Sequence, residues 1–403
     1  MIPMPMFPNL EFLLGSPKGV QVIQCVQPLE IFSTTTIDFW AQVSACLLAD
    51  KRSMRFPDVV TFAFYCRRAN LLNLKKSYTG GGIRIGRGVV FHIAPSNVPV
   101  NFAYSLLAGM LAGNANIIRV STKFFEQVEI ICNAMQSIIE QDIFAELRHR
   151  LHVVRYNRDS GVNEKLSALA DVRIIWGGDS TIAEVRKAPL PPKSYDITFS
   201  DRYSCALICA DAILALPDLT GLTKSFYNDT YLFDQNACSA PRLVIWQGDV
   251  NKVAIAKERF WSALKKLLVD YKIEPIIAID KLATFCLHSG DSAGIHLVSA
   301  GTNKLWRIEV QRLSGGMDAH RCSAGYFLEC TIDDLEEIAV AVNRKYQTLA
   351  YFGFTIAHLK EWFLQARLLG IDRVVPIGKT TDFNLIWDGH DLIRGLSREC
   401  IIV

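Results

Sequence analysis

Cysteine is the residue type whose placement in this chain most clearly indicates covalent chemistry. The chain has eleven cysteines, an odd number without any Cys-x-x-Cys pair, so neither a metal site nor a disulfide framework is expected. Most of these thiols are expected to be reduced and buried as small apolar side chains. Cys238 differs because residues 233–241 form a polar, small-residue connection between two apolar stretches. Such a loop suits an exposed thiolate nucleophile.

Strands and helices alternate from residue 88 onward. Short β-rich runs at residues 89–93, 115–120, 151–154 and 172–176 are separated by stretches with helical spacing, at residues 102–111 and 123–140. This alternation predicts an α/β fold with a doubly wound parallel sheet. Ligands bind beyond the carboxyl ends of such strands, so the loops after Ile93, Val120 and Trp176 are the expected binding region. The first 75 residues favour helical segments, for example residues 37–50.

The second half of the chain predicts another α/β domain. Strands are expected at residues 204–210 and 242–246, on either side of the Cys238 loop. Residues 331–337 carry an N-cap and an acidic first turn, which predicts a helix through Asn343. The expected domains are a helical segment with a cofactor domain (1–202), a catalytic domain (203–375) and a C-terminal segment (376–403). Within that last segment, residues 400–403 suit either an oligomerisation strand at a sheet edge or an internal strand.

Four separated segments resemble the aldehyde dehydrogenase superfamily in their order and spacing. They are residues 94–99, residues 112–121, Trp176-Gly177-Gly178 and residues 234–242. The chain more closely resembles the acyl-CoA reductase branch, which includes the fatty acid reductase subunit of bacterial luminescence systems, and residues 373–378 and 387–392 strengthen that match. The resemblance covers residues 75 to 403. It implies an aldehyde dehydrogenase-like fold, with a Rossmann-type cofactor domain and an α/β catalytic domain.

The resemblance assigns two catalytic residues. Cys238 falls on the nucleophile of the Gln-x-x-Cys motif, where the reaction passes through a covalent acyl-enzyme. Asn97 falls on the asparagine whose side-chain amide stabilises the oxyanion, together with the backbone N–H of the nucleophile. The structural alternatives are a buried cysteine and an asparagine that caps a turn between two prolines.

The resemblance also implies a nicotinamide cofactor, for which NADPH is favoured. Thr122 stands where NAD-preferring members often carry a glutamate, and Arg119 stands where the family has a ribose-contacting lysine. A carboxylate would repel a 2′-phosphate, whereas an arginine and hydroxyl groups can bind one. The full set of expected cofactor-binding residues is Pro95, Ser96, Arg119, Ser121, Thr122, Gly177, Gly178 and Asp179. The alternatives are a solvated strand end around Arg119 and a simple turn at the glycines.

A missing residue favours reduction over oxidation. Oxidising aldehyde dehydrogenases carry a water-activating glutamate upstream of the nucleophile, whereas residues 197–204 contain only Asp201, at an unsuitable offset. We therefore expect NADPH-dependent reduction of a fatty acyl thioester, acyl-CoA or acyl-protein, to the aldehyde through an acyl-Cys238 intermediate. The alternatives are NAD(P)-dependent aldehyde oxidation and a non-catalytic subunit that binds acyl groups or cofactor.

Composition narrows the set of partners and the location. The net charge of +3 and the lack of a basic block argue against nucleic acid as a partner. No apolar run is long enough to span a bilayer, and residues 1–14 lack the order of a secretory signal, so a cytoplasmic protein is expected. The resemblance implies a homo-oligomer and a complex with an acyl-activating synthetase. His92 lies within a strand, where a buried core histidine is favoured over an acid catalyst.

Overall fold

A computed structural model describes residues 10–80, 82–157, 160–291, 294–298 and 302–402. The α-helices of these residues are α1 (Pro17–Val22), α2 (Thr34–Ala49), α3 (Pro57–Tyr65), α4 (Arg68–Lys76), α5 (Asn101–Leu111), α6 (Glu126–Ile139), α7 (Val162–Ser167), α8 (Asp179–Val185), α9 (Ala210–Ala215), α10 (Thr220–Thr230), α11 (Val250–Leu267), α12 (Pro275–Asp291), α13 (Ile356–Ala366) and α14 (Leu392–Leu396). The strands are β1 (Glu11–Leu14), β2 (Ile83–Gly86), β3 (Val89–Ile93), β4 (Ala115–Arg119), β5 (Leu151–Arg155), β6 (Val172–Trp176), β7 (Tyr195–Phe199), β8 (Tyr203–Cys209), β9 (Pro241–Gln247), β10 (Ile295–Val298), β11 (Trp306–Val310), β12 (Tyr326–Ile332), β13 (Tyr346–Phe352), β14 (Arg373–Pro376), β15 (Ile386–Trp387), β16 (His390–Asp391) and β17 (Ser397–Cys400).

The chain divides into two compact units. Unit 1 comprises Met1–Ser200 together with Asn384–Val403, and unit 2 comprises Asp201–Phe383. The roles expected for residues 1–202 (cofactor domain), 203–375 (catalytic domain) and 376–403 (C-terminal segment) stay predictions. The expectation about a secretory signal concerns a segment whose residues 1–9 lie outside the described residues.

Unit 1 contains a six-stranded sheet in the order β1-β5-β4-β3-β6-β7. Strands β3 to β7 are parallel to their neighbours, and β1 is antiparallel to β5. Every residue of β3, β4 and β6 is buried, as expected for strands covered on both faces. The predicted α/β fold with a doubly wound parallel sheet is thereby confirmed, and its strands at 89–93 and 172–176 have the predicted bounds.

Strand β7 extends this sheet beyond the strands that the sequence predicted. Its Asp196 pairs with Arg173 of the neighbouring β6, and the Arg173 Nε lies 2.7 Å from an Asp196 carboxylate oxygen. Arg173 is only 1% exposed, so burial without this carboxylate would be costly. A cross-strand ion pair therefore lets two charged residues occupy neighbouring strands of a largely buried sheet.

The C-terminal residues return to unit 1. Strand β17 pairs antiparallel with β2, and the Asn114 side-chain amide donates to the Leu396 carbonyl at 2.8 Å. Residues 401–402, within the segment for which a strand was considered, are exposed and outside any strand, and Val403 lies outside the described residues. An oligomerisation role of this segment stays a prediction.

Unit 2 contains a seven-stranded sheet in the order β10-β11-β12-β9-β8-β13-β14. All neighbouring strands are parallel except β10, which is antiparallel to β11. Side chains alternate between two apolar cores along each strand: Cys205 and Leu207 of β8 face one core, and Ala206 and Ile208 face the other. The predicted strands on both sides of the Cys238 loop are present as β8 and β9.

The helix predicted from residue 331 through Asn343 is wrong in its extent. Thr331 and Ile332 belong to β12, and only Leu335–Val340 is helical, as a short 3-10 helix. The capping box is present: the Asp334 side chain accepts from the Glu336 backbone N–H, and the Glu337 side chain accepts from the Asp334 backbone N–H. The N-capping residues thus mark the start of the 3-10 helix. Thr331 and Ile332, which precede it, pair with β9 as part of strand β12. Among the described residues, no helix combines the length and the apolarity that crossing a bilayer requires.

Candidate active site

The sheet of unit 1 reverses its winding between β3 and β6. From β3 the chain proceeds to β4 and β5 on one side, then crosses to β6 and β7 on the other. The carboxyl ends of strands at such a switch point diverge into a crevice. A cleft of about 560 Å³ opens there, a size typical of small-molecule sites. Its lining residues are Ile93, Ala94, Pro95, Ser96, Asn97, Arg119, Ser121, Thr122, Trp176, Gly177, Gly178 and Thr181.

The cleft brings together most of the residues that the sequence singled out for this part of the chain. Pro95, Ser96 and Asn97 follow β3, Arg119, Ser121 and Thr122 end or follow β4, and Gly177 and Gly178 follow β6. Asp179 is not among the lining residues; it is exposed and is the first residue of α8. Trp176 and Thr181 were not among the expected cofactor-binding residues, although Trp176 immediately precedes the glycine pair.

None of the residues that line the cleft is acidic. Arg119 is 7% exposed, donates to the Tyr156 carbonyl at 3.4 Å and lies over the Tyr156 ring at 5.1 Å. The Ser121 hydroxyl accepts from the Lys123 backbone N–H at 3.1 Å, which holds the loop after β4 in a turn. The guanidinium of Arg119 places a positively charged group in the lining of the cleft.

The two glycines have different surroundings. A Cβ at Gly177 would lie 3.0 Å from the Thr181 methyl carbon, tighter than ordinary packing, whereas a Cβ at Gly178 would meet no atom within 4 Å. Protein packing therefore does not exclude a side chain at Gly178. Glycine there leaves open space beside the cleft that a side chain would otherwise occupy.

The Cys238 loop begins with two residues in an uncommon backbone conformation. Asp234 and Gln235 have φ values of 51° and 59°, in the left-handed region. Non-glycine residues adopt this region at a cost and persist there when the surrounding structure holds them. The Tyr271 hydroxyl donates to the Asp234 carboxylate at 2.6 Å, which fixes the start of the loop.

Gln235 fastens the loop to the sheet of unit 2. Its side chain is completely buried, and its Nε2 donates to the Pro241 and Tyr326 carbonyls at 2.9 and 3.1 Å. Its Oε1 accepts from the backbone N–H groups of Gly325 and Tyr326 at 3.0 and 3.1 Å. The amide is thus fully satisfied, and Gln235, three residues before Cys238, is anchored to the starts of β9 and β12.

Cys238 is partly exposed, in contrast to most cysteines of unit 2. The Ser204 hydroxyl donates to the Cys238 carbonyl at 2.7 Å, which anchors the backbone of the Cys238 loop. Burial raises the pKa of the Cys205 thiol to about 12 and that of Cys330 to about 11. Thiols with such pKa values form almost no thiolate at neutral pH, so they are poor nucleophiles.

Asp201, the single acid near the position of the missing glutamate, is engaged in an ion pair. The Arg321 guanidinium binds both Asp201 carboxylate oxygens, one of them at 2.7 Å, and also donates to the Arg202 carbonyl at 2.9 Å. Both oxygens of this carboxylate are thus engaged by one guanidinium. The geometry therefore does not provide a water-activating group at Asp201.

Comparison with known proteins gives one family and one fold. The model of the family described as acyl-CoA reductase (LuxC) matches residues 66–399. The long-chain acyl-protein thioester reductase of Aliivibrio fischeri is 27% identical over 327 residues, which cover 77% of this chain and 62% of that protein. The enzyme of the same name from Photorhabdus laumondii is 26% identical over 322 residues, with the same coverage of 77% and 62%. The chain therefore spans about three-fifths of the length of these relatives.

Solved structures of aldehyde dehydrogenases share the fold. Aldehyde dehydrogenase 21 from Physcomitrella patens, in complex with succinate, superposes with a TM-score of 0.69 at 11% identity, over 94% of this chain and 87% of that one. A lactaldehyde dehydrogenase superposes with a TM-score of 0.67 at 13% identity, over 96% of this chain and 90% of that one. Identities this low show the aldehyde dehydrogenase fold, as the sequence predicted, and nothing of the substrate.

Proposed function

The chain belongs to the acyl-CoA reductase (LuxC) family, and from that premise we propose that it reduces a fatty acyl thioester to the aldehyde with NADPH. The observation that carries the proposal is the single cleft at the switch point, where three loops contribute Asn97, Arg119, Thr122 and Gly178. The relatives named above are long-chain acyl-protein thioester reductases. A long-chain acyl thioester, on coenzyme A or on a protein, is the substrate class that we propose for this chain.

Cys238 is the proposed nucleophile. Its sulfur forms a bond to the thioester carbonyl carbon, the bond from that carbon to the carrier sulfur breaks, and the carrier leaves as a thiol with the proton of Cys238. The partial exposure of Cys238 and the anchoring of its loop by Gln235 support this role. A fixed loop reduces the motion that must be lost when the reacting atoms meet.

Asn97 is the proposed oxyanion donor. Its side-chain amide N–H would donate to the carbonyl oxygen as negative charge develops there. One fixed donor of this kind contributes about 3 kcal/mol to acyl-transfer catalysis. Asn97 is exposed on the cleft of unit 1, so its amide is available to a ligand.

The residues of the cleft fit a nicotinamide dinucleotide that carries a 2′-phosphate. Arg119 provides positive charge, Ser121 and Thr122 provide hydroxyl groups, and Gly178 leaves open space. No lining carboxylate opposes the phosphate. When bound, this cofactor would supply a hydride to the carbonyl carbon of the acyl thioester on Cys238. Cys238 then acts as the leaving group, because its carbon–sulfur bond breaks as the carbonyl reforms and releases the aldehyde.

The ion pair of Asp201 with Arg321 supports reduction rather than oxidation. Without an activated water the acyl-enzyme hydrolyses slowly, so it persists until it is reduced. Oxidation of an aldehyde to the carboxylate would need that hydrolysis in every turnover.

A spectrophotometric assay tests the proposal. The purified chain is mixed with NADPH and acyl-CoA substrates of increasing chain length, and the loss of NADPH is compared with the aldehyde formed. We expect one aldehyde for each NADPH consumed. In the reverse assay, with aldehyde and NADP+ but without a thiol acceptor, we expect little carboxylate. Efficient carboxylate formation would instead show an aldehyde oxidiser, and inactivity in both assays would favour a non-catalytic subunit.

A further inference from the structure

A hydrogen-bond network of polar side chains lies buried beneath the cleft of unit 1. The Trp176 indole N–H donates to the Ser105 hydroxyl oxygen at 3.0 Å, and His92 Nδ1 lies 2.8 Å from the same oxygen. On the other side of the imidazole ring, His92 Nε2 lies 3.0 Å from the Asn116 carboxamide oxygen. Ser105, His92 and Asn116 are completely buried, and Trp176 is 6% exposed.

The partners at the far end fix the direction of these hydrogen bonds. The Asn116 Nδ2 donates to the Asn114 carbonyl at 2.8 Å, so the Asn116 oxygen faces His92 and accepts from His92 Nε2. The proton of a neutral imidazole is therefore on Nε2, and Nδ1 is the acceptor. Ser105 then donates to His92 and accepts from Trp176. This hydrogen-bond network is complete only when His92 is neutral, and burial lowers the pKa of His92 to about 4.

The surrounding packing restricts the positions of the side chains in this hydrogen-bond network. A Cβ at Gly109 of α5 would lie 2.0 Å from the Asn116 oxygen and 3.0 Å from His92 Nε2. The Trp176 ring stacks on Phe199, with ring centroids 3.7 Å apart and an angle of 13° between the planes. The indole is thus held at its face by an aromatic ring and at its nitrogen by Ser105.

The location of this hydrogen-bond network indicates more than a role in folding. Apolar side chains could fill this interior without the desolvation that buried polar groups require. Trp176, however, is the last residue of β6 and lines the cleft beside Gly177 and Gly178. We infer that His92 and Ser105 are positioning residues, which fix the Trp176 indole as a wall of the cleft and thereby set the affinity for the nicotinamide dinucleotide. This inference rests on the cofactor of the proposed function.

A double-mutant cycle on cofactor binding tests the inference. NADPH affinity is measured by titration calorimetry for the wild-type chain, Ser105→Ala, Trp176→Phe and the double variant. Both single variants remove the hydrogen bond between Trp176 and Ser105, and Ser105→Ala also removes the one between Ser105 and His92. We expect each to weaken binding about fivefold, and the loss in the double variant to be smaller than the sum of the two losses. Ser44→Ala is the matched control, because Ser44 is also a buried helical serine of unit 1 and donates to the Ala63 carbonyl. It should leave NADPH affinity unchanged.

The outcomes separate the inference from the proposed function. Unchanged NADPH affinity in Ser105→Ala, or effects that add in the double variant, would overturn the positioning role while leaving the reductase proposal intact. A wild-type chain that binds NADPH but forms no aldehyde would contradict only the reductase. A wild-type chain that binds neither NADPH nor NADH would contradict both.

A second measurement needs no substitution at Ser105. Nitrogen-15 NMR of labelled histidines reports which imidazole nitrogen carries the proton, and the His92 signal is identified by its loss in His92→Gln. The hydrogen-bond network requires the Nε2–H form of His92 at neutral pH. Observation of the Nδ1–H form or of imidazolium would show that the hydrogen-bond network is not formed as described, and would overturn the inference.

Discussion

Exposure separates Cys238 from Cys205 and Cys330, the buried cysteines of neighbouring strands. Its partly exposed position between two strands could be anticipated from sequence, because a loop of small, polar residues between apolar stretches is a local feature, whereas its role as nucleophile stays a prediction. The role of Gln235 could not be anticipated in the same way, because Gly325 and Tyr326, which bind its amide, lie about ninety residues further along the chain. The same holds for Trp176 and its contact with Ser105, 71 residues apart.

Replacement of Asn97 tests the oxyanion assignment at this scale. Asn97→Ala removes the amide that would stabilise the developing negative charge, so kcat for acyl-CoA reduction should fall about a hundredfold. NADPH affinity should change little, because the loss concerns the transition state of acyl transfer. Measurement of kcat and of the NADPH dissociation constant separates the two effects. A kcat near that of the wild-type chain would leave Asn97 with the role of a turn residue.

A substitution at Thr122 tests the cofactor preference. Thr122→Glu places a carboxylate in the cleft, and like-charge repulsion should weaken NADPH binding roughly tenfold, or about 1.4 kcal/mol, without weakening NADH. Thr122→Gln is the control, since it has the same size without the charge. Equal losses for NADPH and NADH in the glutamate variant would show that Thr122 does not face the 2′-phosphate.

At the scale of elements, the buried parallel strands were the easiest to predict. Strands β3 and β6 are continuous apolar runs between turns and have the bounds that the sequence predicted. Strand β7 was missed because its Asp196 is balanced by Arg173 and Arg186, which lie outside the strand. Strand β2 depends on pairing with β17 at the other end of the chain. The helix expected through Asn343 was wrong because sheet pairing outweighed local capping residues at its start.

The Cys238 loop provides a prediction at the element scale. Gln235→Glu keeps the shape of the side chain but turns a carboxylate oxygen toward the Pro241 and Tyr326 carbonyls, in place of two donated hydrogen bonds. We expect unit 2 to lose about 3 kcal/mol of stability, and the alkylation rate of Cys238 to change as its loop loosens. Denaturant unfolding and iodoacetamide labelling measure the two effects. Gln247→Glu, at the end of β9, is the control, and an equal effect of both variants would contradict the anchoring role.

At the scale of the whole molecule, the return of residues 384–403 to unit 1 could not be read from sequence. It depends on distant contacts such as the Arg87 side chain with the Gly395 carbonyl at 3.0 Å. The first unit also contains a second buried histidine, His152. The backbone of Gly15 and Gly19 lies against its ring, so closely that a Cβ would come within 2.1 and 2.3 Å of ring atoms. Burial lowers the pKa of His152 from 6.5 to about 4.

This histidine predicts a pH dependence for the stability of unit 1. Between these two pKa values the unfolded chain protonates His152 and the folded unit does not, so acidification from pH 7 to pH 5 favours unfolding. His152→Leu removes that linkage. Relative to the wild-type chain, the variant should gain about 2 kcal/mol more at pH 5 than at pH 7. Calorimetric unfolding at both pH values measures the difference, and the same relative stability at both would contradict the assignment.

The most direct test of the account is the covalent step at Cys238. The chain is incubated with isotope-labelled acyl-CoA in the absence of NADPH, and label bound to protein is measured before and after NADPH is added. We predict that the wild-type chain and Cys209→Ala, a variant at another partly exposed cysteine of unit 2, acquire the label. NADPH should then release it as aldehyde, and Cys238→Ala should acquire none. Accumulation of labelled acyl groups on Cys238→Ala would contradict the account.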